Sequence, residues 1–196
     1  MYTWSHVVTP GHIWSDLVTS VECLIKYFSM LRLYTFLEWV KEMLDDQTSG
    51  LRATKDGDKA TFHDRVFENE MSKLVNAASV AYDKMLFKEA LKVGFFEMQG
   101  SRDKYRELSA SSGGMSRRLV RQFIEWQAVV LSPICPHVAE HIWRLLGKKG
   151  SVLKAGWPKT MASVDEVVIK SSEYLMEAAR DFRLKLKSHI QVSIMD

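Results

Sequence analysis

The stretch SRRLVRQFIEWQAVVLSPICPHVAEHIWRLLG, residues 116–147, decides the fold. Leu119, Phe123, Gln127 and Val130 recur at steps of four, four and three, the spacing that keeps side chains on one face of an α-helix. Pro133 and Pro136 interrupt the pattern. A proline lacks the amide hydrogen that a helix interior needs, and it disfavours helical geometry in the residue before it, yet it suits a first turn. One helix therefore ends at these prolines and a shorter one follows, with Val138, Ile142 and Leu145 in register and Gly147 closing it. Helices joined by turns this short predict an antiparallel bundle.

The same periodicity recurs on both sides. Upstream, Phe62, Val66, Met71, Leu74 and Val75 mark a buried face. Thr61 is placed to cap that helix, with Asp64 three residues on as a capping-box partner. Ser79 reads as another N-cap, opening a long helix with Tyr82, Leu86, Ala90, Val93 and Phe96 inward and an end near Leu108. SASSGG (109–114) is a turn. Downstream, residues 148–164, with Trp157-Pro158 inside, read as loop. A last helix from about Asp165 or Ser171 sets Leu175, Ala178, Phe182, Leu186 and Ile190 on its core face. Near the start, residues 21–44 turn helical, with Leu33, Phe36, Leu37, Val40 and Leu44 aligned, and DDQTSGLRATKDGDKA (45–60) reads as an exposed linker. Residues 1–20 have no clear period beyond a turn at Pro10-Gly11. The fold class is all-α, an antiparallel helix bundle; four prolines and ten glycines supply too few turns for a sandwich of short strands.

Bulk properties narrow the setting. An apolar share of 46% supports a packed core and argues against disorder. The formal net charge of +3 admits a nucleic-acid partner without arguing for one; only clustering of Lys and Arg does that. Two cysteines far apart, Cys23 and Cys135, make no disulfide framework and indicate a reducing compartment. No run of 18 apolar residues suggests a membrane span, and the first 30 residues lack the pattern of a secretory signal. The expected location is the cytoplasm.

Three constellations invite a chemical reading. His137-Val138-Ala139-Glu140-His141 matches the H-x-x-E-H zinc pattern, but no nearby motif supplies a third ligand. The plainer reading is a helix start, with Pro136 early and Trp143 packing inward. Cys135, near the same helix start, reads as a small buried residue rather than a nucleophile. Basic rows are the sharper signal. Arg117, Arg118 and Arg121 crowd two helical turns, close in sequence to Arg102, Lys104 and Arg106. Arg180, Arg183 and Lys187 fall at i, i+3 and i+7, away from the apolar stripe of the last helix. Lys84, Lys88 and Lys92 form a third row, expected to matter less. Each row alone is first a solvated face; against RNA it would grip phosphates and 2′-hydroxyls, reading shape rather than bases.

A resemblance then enters. LRLYTFLEWVKEML (31–44), FHDRVFENEMSKL (62–74), MLFKEALKVGFFEMQGSRDKYREL (85–108), LSPICPHVAEHIW (131–143), WP (157–158) and SSEYLMEAARDFRLKLK (171–187) occur in the order in which leucyl-tRNA synthetases of the eukaryotic and archaeal type carry similar segments. The Pro-x-x-Pro-His-x-x-Glu-x-x-Trp element, here Pro133, Pro136, His137, Glu140 and Trp143, resembles the wider leucyl, isoleucyl and valyl group. KEALKVGFFEMQ and YLMEAARDFRLKLK point to the leucyl branch.

The resemblance implies an anticodon-binding domain over residues 61–190, preceded by a connecting helix (31–45) and a polar linker (46–60), with residues 1–30 unassigned and 191–196 a truncated end. It implies structural roles for Pro133, Pro136, His137, Glu140, Trp143 and Trp157, and RNA contact for Arg117, Arg118, Arg121, Arg180, Arg183 and Lys187. Leucine tRNA is the implied partner, with a catalytic domain and other synthetases as further candidates and no membrane or DNA. The family's full-length reaction joins leucine to tRNA through leucyl-adenylate, using ATP and Mg2+. The His-Ile-Gly-His and Lys-Met-Ser-Lys-Ser motifs that handle ATP do not occur in this chain, so it is expected to bind no cofactor and to be a non-catalytic fragment. Gly114-Met115-Ser116-Arg117-Arg118 is only faintly similar to the second motif, and it reads better as a helix start. The alternative function is a helical module that docks on proteins in a synthetase assembly.

Overall fold

A computed structural model describes residues 30–45, 50–53, 60–161 and 163–195, with side chains through residue 187. All regular structure among the described residues is helical; the β-type pairing seen is an isolated parallel bridge between Arg52 and Ser116. The chain divides into two compact units, Met1–Glu42 and Met43–Asp196. Helix α1 covers residues 30–44, and Phe36 and Val40 of its predicted stripe are buried. The expected beginning near Val21 lies outside the described residues.

The second unit is built on α2 (Phe62–Asp83), which opens with the predicted capping box: the Asp64 amide donates to the Thr61 hydroxyl, and the Asp64 carboxylate accepts from the Thr61 amide. Val66, Phe67, Met71 and Val75 of α2 are buried. Ser79 caps nothing, because the helix runs through it to Asp83. The break comes at Met85, which takes a left-handed backbone with φ of 56°. A methionine there is uncommon and carries strain. The row Lys84, Lys88 and Lys92 is thereby split: Lys84 closes α2, and the others lie beyond the break.

After the break come α3 (Phe87–Leu91), a π-helical turn (Lys92–Glu97) and α4 (Met98–Ser109). The π-turn inserts where Gly94 presses on its neighbours: a Cβ there would lie 2.6 Å from Val130 Cγ1 and 3.2 Å from Ala78 Cβ. A π-turn disturbs the i→i−4 ladder. Here the Gly94 carbonyl accepts from Gln127 Nε2 at 2.5 Å, and Gln127 Oε1 accepts from Gln99 Nε2 at 3.3 Å. Gln127 is fully buried on the inner stripe of α5 (Arg117–Leu131), beside Leu119, Phe123 and Val130. Its amide serves the π-turn, which is why a polar residue holds a core position.

Pro136 is the first residue of α6 (Pro136–Leu145), and Gly147 closes the following turn with φ of 71°. Ile142 and Trp143 of α6 are buried against the bundle, while Val138 is half-buried and Leu145 exposed. Lys148 lies 5.6 Å over the Trp143 ring and pairs with Glu125 of α5 at 2.7 Å.

Helix α7 (Glu166–Met195) runs antiparallel to α2: Lys73 pairs with Glu166 at 3.2 Å, Asn69 Oδ1 accepts the Asp165 amide at 2.7 Å, and farther along α7 Ser172, Leu175 and Met176 come beside Phe62 and His63. Thirty residues span roughly 45 Å and the 22 of α2 roughly 33 Å, so α7 runs on past the start of α2. Its expected core face is therefore open. Ile169 and Ser172 are buried, but Leu175, Phe182 and Leu186 are exposed, Phe182 at 72%.

Candidate nucleic-acid interface

The basic residues at the start of α5 are placed by a buried carboxylate. Asp64, on the first turn of α2, accepts from the Tyr105 hydroxyl of α4 and from Arg52 Nη2, both at 2.5 Å. The Tyr105 oxygen in turn accepts the backbone amide of Ser116 at 2.8 Å. Arg52 also joins the site through its backbone, donating to Met115 O and accepting from the Arg117 amide. Tyr105 stacks on Phe67 at 4.4 Å, which fixes the ring that carries this relay. Gly113 and Gly114, at φ of 87° and 88°, make the turn that lets the chain reach Ser116.

Burial alone pushes the Asp64 carboxyl up, but hydrogen bonds from Tyr105, the Thr61 backbone and Arg52 outweigh it and hold the group below the usual carboxylate value. Tyr105 goes the other way: burial raises it, and its bond to Asp64 raises it further. The pair stays as phenol and carboxylate across the neutral range. Its role is to brace the start of α5.

From that brace, Arg118 and Arg121 face solvent, and Arg118 pairs with Glu68 of α2 at 3.2 Å with more than half of its side chain exposed. Arg117 is only half-exposed, with Nε enclosed by protein, so it is more a structural residue than its two neighbours. Arg102 is largely enclosed against Asp103.

Arg180, Arg183 and Lys187 are exposed on α7. Arg183 lines a cleft of about 100 Å³ with Phe62 and His63 of α2, Glu107 and Leu108 of α4, and Ser172, Leu175, Met176 and Ala179 of α7. Arg118, through Glu68, and Arg183, through Phe62 and His63, therefore border the same end of α2. Sequence reasoning named both groups, but it missed Arg52 and Tyr105, which hold one of them in place. Nothing in the chain marks their convergence on Asp64.

The H-x-x-E-H segment takes another form. His137 and His141 are exposed, and Glu140 accepts a hydrogen bond from the Ser151 hydroxyl, tying α6 to the short helical turn Val152–Lys154. No group of three His, Cys, Asp or Glu side chains among the described residues is placed to hold a metal ion. Cys135 is half-buried, and burial raises its thiol pKa, the reverse of activation. Pro133 is exposed on the turn between α5 and α6. Trp157 meets Tyr82 edge-on at 5.9 Å; Tyr82, whose hydroxyl donates to Val130 O, is pushed by burial up to about 12. No helix among the described residues is long and apolar enough to cross a membrane.

Comparison with known proteins gives a consistent result. Residues 64–193 match the family described as the anticodon-binding domain of tRNA ligase. The chain is 51% identical over 161 residues to the cytoplasmic leucine–tRNA ligase of Pongo abelii, a match covering 82% of this chain and 13% of that protein. It is 39% identical over 167 residues to the cytoplasmic leucine–tRNA ligase of Arabidopsis thaliana, covering 84% of this chain and 15% of that protein. To the leucine–tRNA ligase of Aeropyrum pernix it is 31% identical over 116 residues, 59% of this chain and 12% of that protein. The chain thus spans about an eighth of the length of these relatives.

Proposed function

This chain belongs to the family of anticodon-binding domains of tRNA ligases, and from that membership we propose that it is the tRNA-holding part of a leucine–tRNA ligase. One observation carries the reading: Arg118 of α5 and Arg183 of α7 border one end of α2, and the buried Asp64 braces the start of α5 through Arg52 and Tyr105. Guanidinium groups on rigid helices suit an RNA backbone, because each phosphate they neutralise releases counterions. Arg118, Arg121, Arg180, Arg183 and Lys187 are the contacts; Arg117 contributes through its place in the fold.

The longer ligase joins leucine to its tRNA through leucyl-adenylate, and ATP and Mg2+ are bound there, since neither ATP-handling motif is in this sequence. The cytoplasmic names of the relatives support a cytoplasmic location. The test is binding of a leucine tRNA transcript across a series of salt concentrations. Affinity that falls steeply with salt, and a flatter fall after Arg118→Gln with Arg121→Gln, supports the reading. An unchanged slope moves the RNA face elsewhere.

A second reading has its own observation. Met85, Leu86 and Phe87 are exposed together at the other end of α2, presented by a strained backbone. A large apolar group in water marks a contact surface. Docking against protein there, in the parent ligase or an assembly of synthetases, is compatible with RNA held at the opposite end.

A further inference from the structure

The cleft at the start of α2 has features that phosphate gripping alone leaves unused. Its walls are an aromatic ring, Phe62, and the apolar Leu108, Leu175, Met176 and Ala179. His63 stands T-shaped to Phe62 at 5.6 Å, and its Nδ1 is enclosed without a hydrogen-bond partner among the described residues. Ser172 and two charges of opposite sign, Glu107 and Arg183, complete the lining. Arg183 continues into a cationic row, with Arg180 and Lys187 three residues before and four after it.

Size and chemistry together select the occupant. A space of about 100 Å³, open on one side, is below the range of about 300–1,000 Å³ typical for drug-sized ligands, and of the order that admits one planar ring. A ring that enters can lie on Phe62 and Met176, and its edge meets one carboxylate, Glu107, able to accept from an exocyclic amine. A strand bearing such a ring must carry negative charge to match the cationic row. We propose that this cleft receives a single unpaired base of the bound RNA, with Arg183 on the adjoining phosphate. This rests on the RNA-holding function above and adds a base-reading contact to it.

Ala179 gives the test. It lines the cleft, faces solvent, and sits within α7, so Ala179→Leu fills the space with a good helix former and removes no charge. The full chain is titrated with leucine tRNA transcripts, each carrying 2-aminopurine at one unpaired position. Quenching at one position in the wild type, its loss in Ala179→Leu, and an affinity about tenfold weaker at unchanged salt slope are the expected results, within the range for one base stacked on an aromatic ring. Salt-dependent binding that Ala179→Leu leaves unaltered, with no position quenched, overturns the cleft and keeps the RNA-holding function; it is also the outcome if a protein side chain fills the space. Absence of salt-dependent binding by the wild type overturns both.

Discussion

Replacing Asp64 by asparagine tests the brace that sets the start of α5. The substitution keeps the shape and removes the charge. The amide oxygen it introduces can still accept from the Tyr105 hydroxyl, but the amide nitrogen then faces Arg52 Nη2 and the Thr61 amide, setting a donor against two donors. A charge-assisted hydrogen bond contributes about 1.5–3 kcal/mol. Loss of a capping contact costs about 1 kcal/mol. Arg52 keeps a quarter of its side chain in water, which softens its share, so the expected loss is about 3 kcal/mol. For a chain of this size that lowers the melting temperature by about 6–12 °C. The assay is thermal unfolding followed by circular dichroism, for both proteins, at neutral pH and across the acid range. The sign follows from the depressed carboxyl. Its folded pKa lies below the ordinary 3.8, so its contribution is complete above 3.8 and is lost as pH falls through the folded value. The gap between wild type and Asp64→Asn should therefore narrow as pH falls below 3.8. A gap under about 1 kcal/mol at neutral pH, or one that persists undiminished in strong acid, refutes the brace.

Trp143→Ala should cost about 3–5 kcal/mol, read by urea unfolding, since the indole is only 7% exposed on the inner face of α6; a wild-type midpoint would mean that the ring contributes little packing. Gly94→Ala should destabilise by about 1–3 kcal/mol, because the new methyl meets the Val130 side chain at the π-turn, and an increase in stability would show that the turn can open to admit it. Arg118→Gln and Arg121→Gln should each change stability by less than about 0.5 kcal/mol while flattening the log–log salt dependence of tRNA binding by roughly 0.7–0.9 per lost contact. Arg117 is left out of that pair because its enclosed Nε would mix folding into the result.

Local rules made most of the helices legible. The steps of three and four through Leu119, Phe123, Gln127 and Val130 mark a face that is buried in the structure, and Thr61 with Asp64 forms the capping box that their spacing predicts. What such rules cannot reach are contacts between distant residues. Arg52 sits in a stretch that reads as exposed linker, and its meeting with Asp64 and Ser116 follows from the path of the chain rather than from any pattern. The break at Met85 escaped for a different reason. It carries no glycine, proline or asparagine, so a serine six residues earlier was the stronger local signal.

The last helix shows the remaining limit. Periodicity in Leu175, Phe182 and Leu186 states that one face needs cover; it does not say which neighbour supplies it. Burial depends on the length of the helix alongside, and α2 begins at Phe62, level with the middle of α7. Up to that level α7 is packed, through Ile169 and Ser172; beyond it, apolar and cationic side chains stand exposed together. The same mismatch in length leaves Phe62, His63 and Met176 lining a cleft instead of a core, with Arg183 at its side. A helix that outruns its support thus carries both the misplaced stripe and the candidate base site, and one measurement on Ala179 bears on the two together.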